Sequence, residues 1–178
     1  MRCNGGKILL NVPWTAILLV ALSVASCAQS AAGRRSAGWE GIAIVVDRNN
    51  PVSNVSLAQL REMFFGDRQW WGHNRPIALV TMARGSAERE TVLRAIYKMD
   101  EKAFEKYFFF EVYRGEMPNG PTRLTTASEV KKFVSRKQGA LGYMRASDVD
   151  SSVKVLRIEG LSPDDDGYPL RLRVRNAK

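Results

Sequence analysis

Apolar residues recur with a changing period between Trp39 and Val174. Ile42-Ala43-Ile44-Val45-Val46 is apolar throughout, as a strand covered on both faces must be. Asn49-Asn50-Pro51 ends it. Ser56-Leu57-Ala58-Gln59 carries the side chains of a capping box, with Val55 and Leu60 spaced as a hydrophobic staple. Leu57, Leu60, Met63 and Phe64 then share a helical face, and Gly66 is placed to stop that helix. Asp67 to Pro76 reads as a loop bearing Trp70, Trp71 and His73. One Trp is expected to anchor the loop on the core, and His73 to sit at the surface or bond within the loop rather than act as a catalyst.

Ile77 to Val80 is a second strand, and Ser86 is placed to cap a helix that buries Val92, Leu93 and Ile96. Asp100 caps another helix, with Phe104, Tyr107, Phe108 and Val112 inward and the run Tyr107 to Phe110 expected in the core. Arg114 to Pro121 is a loop rich in turn residues. Thr126-Ala127-Ser128-Glu129 is a second capping box ahead of Val130, Phe133 and Val134, and Gly139 ends that helix. Ala140 to Met144 and Val153 to Ile158 are short strands. Leu170, Leu172 and Val174 alternate with Arg171, Arg173 and Arg175, which is either a solvated edge strand or a basic recognition ridge. Strands alternating with helices predict an α/β fold, a mixed sheet flanked by helices.

The first 26 residues have a different character. Arg2 and Lys7 precede a largely apolar stretch from Ile8 to Val24, the pattern of a secretory leader. It closes with Val24-Ala25-Ser26-Cys27, which resembles the lipobox of bacterial lipoproteins. That resemblance implies lipidation at Cys27 and a membrane anchor without a spanning helix. Residues 27–38 are small and polar and read as a tether, leaving 39–178 as one domain. The expected location is the periplasm or cell envelope.

Composition narrows the chemistry. The chain carries 27 basic and 18 acidic residues, a net charge of +9, of which +7 remains without the leader. A basic surface suits oxyanions, anionic lipid or acidic glycans, and export argues against nucleic acid. With one His and no cysteine pair beyond the leader, neither a metal centre nor a disulfide is expected, and no cofactor either. No Ser-His-Asp set and no paired carboxylates point to an enzyme.

The strongest local signal is Leu79-Val80-Thr81-Met82-Ala83-Arg84-Gly85-Ser86-Ala87-Glu88-Arg89-Glu90, which reads as strand, glycine turn and helix start. Such a turn aims free backbone N–H groups at one point and attracts oxyanions. The candidate anion ligands are Arg84, Gly85, Ser86, Ala87, Glu88 and Arg89.

The ordered set of these segments resembles a family. It comprises Asn50-Pro51-Val52, Val55 to Gly66, the Trp loop, Pro76-Ile77, Gly85-Ser86 with Arg89-Glu90, Gly139 to Met144, and Gly167-Tyr168-Pro169-Leu170. It is similar to the substrate-binding proteins of ABC phosphate transporters, across about Gly41 to Leu170. The resemblance implies a periplasmic-binding-protein fold of which this chain is a single lobe, because the family's proteins have two. It also implies phosphate or a similar oxyanion as ligand. The family's anion loop runs roughly Arg-x-Asp-Gly-Ser-Gly-Thr. Gly85 and Ser86 keep that pattern, while Met82, Arg84, Ala87 and Glu88 stand in place of its Arg, Asp, second Gly and Thr. Two functions stay open: a weak oxyanion binder for uptake or sensing, or a lobe without ligand that binds an envelope partner or a second copy of itself.

Overall fold

The structure is a computed structural model describing residues 38–72, 74–117 and 120–174. The expected leader, Cys27, almost all of the tether, His73 and Arg175 lie outside the described residues.

Strand β1 (Trp39–Asp47) is the axis of the sheet, and every residue from Gly41 to Asp47 is buried. The uninterrupted apolar run is thus covered on both faces. β2 (Asn54–Val55), β5 (Ala78–Met82), β6 (Thr122–Leu124), β7 (Ala140–Arg145), β8 (Val153–Ile158) and β9 (Arg171–Arg173) complete a seven-stranded sheet of order β2-β8-β1-β7-β5-β6, with β9 beside the start of β1. β1 is antiparallel to β7, β8 and β9, whereas β5 is parallel to both β7 and β6. The sheet is therefore mixed, as expected.

The first capping box forms in full. Ser56 Oγ accepts from the Gln59 amide and Gln59 Oε1 accepts from the Ser56 amide, both at 3.0 Å, at the start of α1 (Leu57–Phe65). The second forms at Thr126 and Glu129, opening α4 (Ala127–Arg136), which packs on β1, β7 and β8. Between them lie α2 (Ala87–Val92), a π-helical turn (Leu93–Tyr97) and α3 (Glu101–Tyr113).

Trp71 is the loop's anchor. It is buried, and its indole N–H donates to the Gly139 carbonyl at 2.9 Å. Gly139 itself has φ +82°, and a Cβ there would lie 2.3 Å from the Pro76 carbonyl oxygen, so this junction accepts only glycine. The loop is also more ordered than its sequence suggests: β3 (Trp70–Trp71) and β4 (Arg75–Pro76) form a small antiparallel ladder. β6 was not foreseen either, because Thr122-Arg123-Leu124 is too short and too polar to signal a strand.

Two expectations fail on α3. Phe104 and Phe108 are buried, but Phe109, Phe110 and Val112 are exposed. An aromatic run on a helix cannot all face one way at 3.6 residues per turn, and half of this one points outward. At the C-terminus, β9 lies on the edge of β1 with Leu170 and Leu172 buried and Arg173 exposed.

Candidate functional site

β5, β6 and β7 run parallel, so their C-terminal ends share one edge of the sheet, where open α/β sheets place their ligands. The Gly85–Ser86 turn lies there. The chain leaves β5 at Met82 and turns at Gly85, whose φ of +80° requires glycine. It enters α2 at Ser86, whose Oγ accepts from the Arg89 amide at 3.2 Å. That bond leaves the Ser86 hydroxyl proton free to donate outward. The Ser86 amide closes the turn on the Ala83 carbonyl at 3.3 Å. The amides of Ala87 and Glu88, at the first two helical positions, have no intrahelical acceptor.

Arg84 reaches outward. Its side chain is 66 % exposed, with Nε 3.5 Å from Glu101 Oε1. It borders an open hollow of about 550 Å³ in which Arg84, Arg94 and Lys102 face Glu90, Asp100 and Glu101. The charges in that hollow balance.

Arg89 is placed differently. It is 1 % exposed, and all five guanidinium donors are engaged. Nε donates to Glu101 Oε2 at 2.9 Å, and Nη1 donates to Thr81 Oγ1 at 3.0 Å and to the Met82 carbonyl at 2.9 Å. Nη2 donates to Glu101 Oε1 at 2.6 Å and to Glu105 Oε1 at 3.2 Å. The Phe104 ring lies 4.5 Å from the guanidinium carbon. No donor remains for a ligand. This bonding holds the Glu101 carboxyl below the usual carboxylate range, with the Arg89 hydrogen bond as the largest cause.

Tyr143 completes the same lock. Its hydroxyl accepts from the Met82 amide at 3.1 Å and lies 3.0 Å from Thr81 Oγ1. Arg89 and Tyr143 thus clamp the end of β5 from two sides and fix the turn that follows.

Glu88 is nearly buried and does not point into open solvent; its carboxylate accepts from Nε of Arg145, the last residue of β7. Glu40 adds a second, longer contact to Arg145 at 3.9 Å. The hydrogen bond from Arg145 to Glu88 is the main reason the Arg145 guanidinium is held above its ordinary value. Sequence reasoning missed Arg145. Its signal was available: it is the first residue past the apolar strand Ala140 to Met144, on the edge where parallel strands collect ligands. Among the described residues, no group of three or more His, Cys, Asp or Glu side chains is placed to hold a metal ion. No helix among them is long and apolar enough to cross a membrane.

The chain superposes on an ABC-type phosphate transport receptor from Vibrio cholerae with a TM-score of 0.62 and 23 % identity, covering 76 % of this chain and 55 % of the receptor. A Clostridium perfringens protein assigned as a phosphate ABC transporter substrate-binding protein, solved with bound phosphate, gives 0.63 and 21 % over 76 % of this chain and 54 % of its own. PstS from Borrelia burgdorferi gives 0.61 at 11 % identity, over 76 % and 56 %. The chain has the fold of the phosphate ABC transporter substrate-binding proteins. It spans about half the length of these structures. No protein-family model matches it.

Proposed function

We propose that this chain is an exported, lipid-anchored lobe of the phosphate-binding-protein type that receives phosphate or a similar oxyanion weakly, for uptake or sensing. The observation that carries the reading is the Gly85–Ser86 turn. It offers a free hydroxyl proton and two helix-start amides next to an exposed Arg84, at the ligand-binding edge of the sheet. The phosphate-bound protein of the same fold supports the choice of anion.

The charges support a low affinity. Arg89 is spent on Glu101 and Glu105, and Arg145 on Glu88. Of Arg84, Arg89 and Arg145, Arg84 is the most exposed, and it meets an anion in a position screened by water with Glu101 Oε1 already 3.5 Å from its Nε. Phosphate at Arg145 would share its guanidinium with the Glu88 carboxylate.

The same neutralisation favours a second reading, a lobe that has lost its ligand and serves as an interaction partner in the envelope. Calorimetric titration of the chain with phosphate separates the two. The binder reading requires saturable, salt-sensitive heat that disappears in Arg84→Ala. Absence of heat at millimolar phosphate, in the wild type and in Glu88→Thr alike, favours the interaction reading. Cys27→Ala should release the protein from membranes or leave an unprocessed precursor, and an unmodified mature N-terminus downstream of Cys27 would contradict the anchor.

A further inference from the structure

The outward face of α3 is the surface that the fold does not explain. At 3.6 residues per turn, Lys102, Lys106, Phe109, Phe110 and Tyr113 fall within about 100° of arc. Phe109 is 66 % exposed, Phe110 40 % and Tyr113 81 %. Large rings left in water together mark an interaction surface.

The carboxylates of this helix lie outside that arc and are paired: Glu101 and Glu105 are held by Arg89, Arg84 and Arg123, and Glu111 faces Arg114 at 3.7 Å. No ion pair to Lys102 or Lys106 is formed among the described residues, and the Lys106 ammonium stands 6.0 Å from the centre of the Phe110 ring. The exposed arc therefore presents two lysines without an ion-pair partner beside three aromatic rings, with Asp100 and Glu101 near Lys102 at its rim. Rings of this kind favour the interfacial layer of a bilayer, and lysines beside them favour anionic headgroups. The face is the outside of a helix, convex rather than grooved, which suits a fluid lipid surface better than a shaped protein counterpart.

We infer that α3 docks the domain onto an anionic lipid surface through Lys102, Lys106, Phe109, Phe110 and Tyr113. The inference rests on neither the oxyanion reading nor the acyl anchor, although Lys102 lines the hollow that Arg84 borders.

The test reads α3 locally, so that the apolar leader of the full chain does not mask the answer. An environment-sensitive fluorophore is attached at Ala103→Cys in a Cys3→Ser, Cys27→Ser background, and at Ser151→Cys as a remote control. The chain is mixed with vesicles of phosphatidylglycerol or of phosphatidylcholine. The inference predicts a blue shift and a gain of about threefold at position 103 on phosphatidylglycerol only, with position 151 unchanged. Replacing both lysines, Lys102→Gln with Lys106→Gln, should weaken docking roughly 25-fold, about fivefold per lysine. Phe109→Ser with Tyr113→Ser should abolish the blue shift. An equal response on both lipids, or an equal response at both positions, overturns the inference. So does a shift at position 103 that grows with protein concentration in the absence of lipid, which would assign the face to a second copy of the chain.

Discussion

Arg89 looks like an anion ligand in the sequence and is bonded like a structural bolt in the fold. Arg89→Met separates these roles. The substitution strips a donor from the Met82 carbonyl and from Thr81 Oγ1, both in the interior. An acceptor left unpaired there costs about 1–3 kcal/mol, and Thr81 retains Tyr143 as a partner, so its share is small. Glu101 and Glu105 also lose a cation but keep Arg84 and Arg123, and with side chains 25 % and 37 % exposed water screens much of that loss. Removing a buried guanidinium recovers part of its desolvation penalty. The net loss is about 2–4 kcal/mol. At roughly 2–4 °C per kcal/mol for a domain of this size, Tm falls by about 5–15 °C. Arg89→Lys keeps the charge but cannot reproduce the planar fork, and should lie nearer to Arg89→Met than to the wild type. The assay is paired thermal and urea unfolding. A loss below ~1 kcal/mol, together with a tenfold or greater loss of phosphate affinity, would refute the structural role.

The pH dependence follows from the same pair. Glu101 is depressed in the folded state, so the stability it contributes is full above the ordinary carboxylate pKa and is lost as pH falls toward its lowered value; acid unfolding should be shallower in Arg89→Met than in the wild type. Gly139→Ala should destabilise by several kcal/mol, since it meets the Pro76 carbonyl and must hold φ at +82°; a melting temperature within 2–3 °C of the wild type, read as about 1 kcal/mol, would contradict this. Ser86→Ala should cost about 1 kcal/mol in urea unfolding through the lost cap and also weaken any phosphate binding. Glu88→Thr should free Arg145 and strengthen phosphate binding about tenfold by calorimetry, ~1.4 kcal/mol.

Where local chemistry decides, the sequence was legible. Ser56 with Gln59 and Thr126 with Glu129 satisfy helix-start amides within four residues, so both helices were visible before any tertiary contact. The apolar run at Ile42 to Val46 marked the central strand because both its faces are covered. Position in space was not legible. β6 is held by its parallel pairing with β5 rather than by its own residues, and nothing local announces it. The outward turn of Phe109 and Phe110 depends on which side of α3 meets the core, which composition does not encode. At the candidate site, the sequence located the turn through Gly85 and Ser86, but it could not show which charges pair. Glu88 meets Arg145 across 57 residues, and Arg89 meets Glu101 and Glu105 on the following helix. These partners change a row of apparent anion ligands into a set of ion pairs in which Arg84 is the most exposed arginine.

The central claim is that an oxyanion seats on the turn at the end of β5. Amide chemical shifts of the ¹⁵N-labelled chain, followed through a phosphate titration, test it most directly. The account predicts saturable shifts that are largest at the amides of Ser86, Ala87 and Glu88 and are reduced by added salt. Shifts confined to other surfaces, or none at millimolar phosphate, would contradict it.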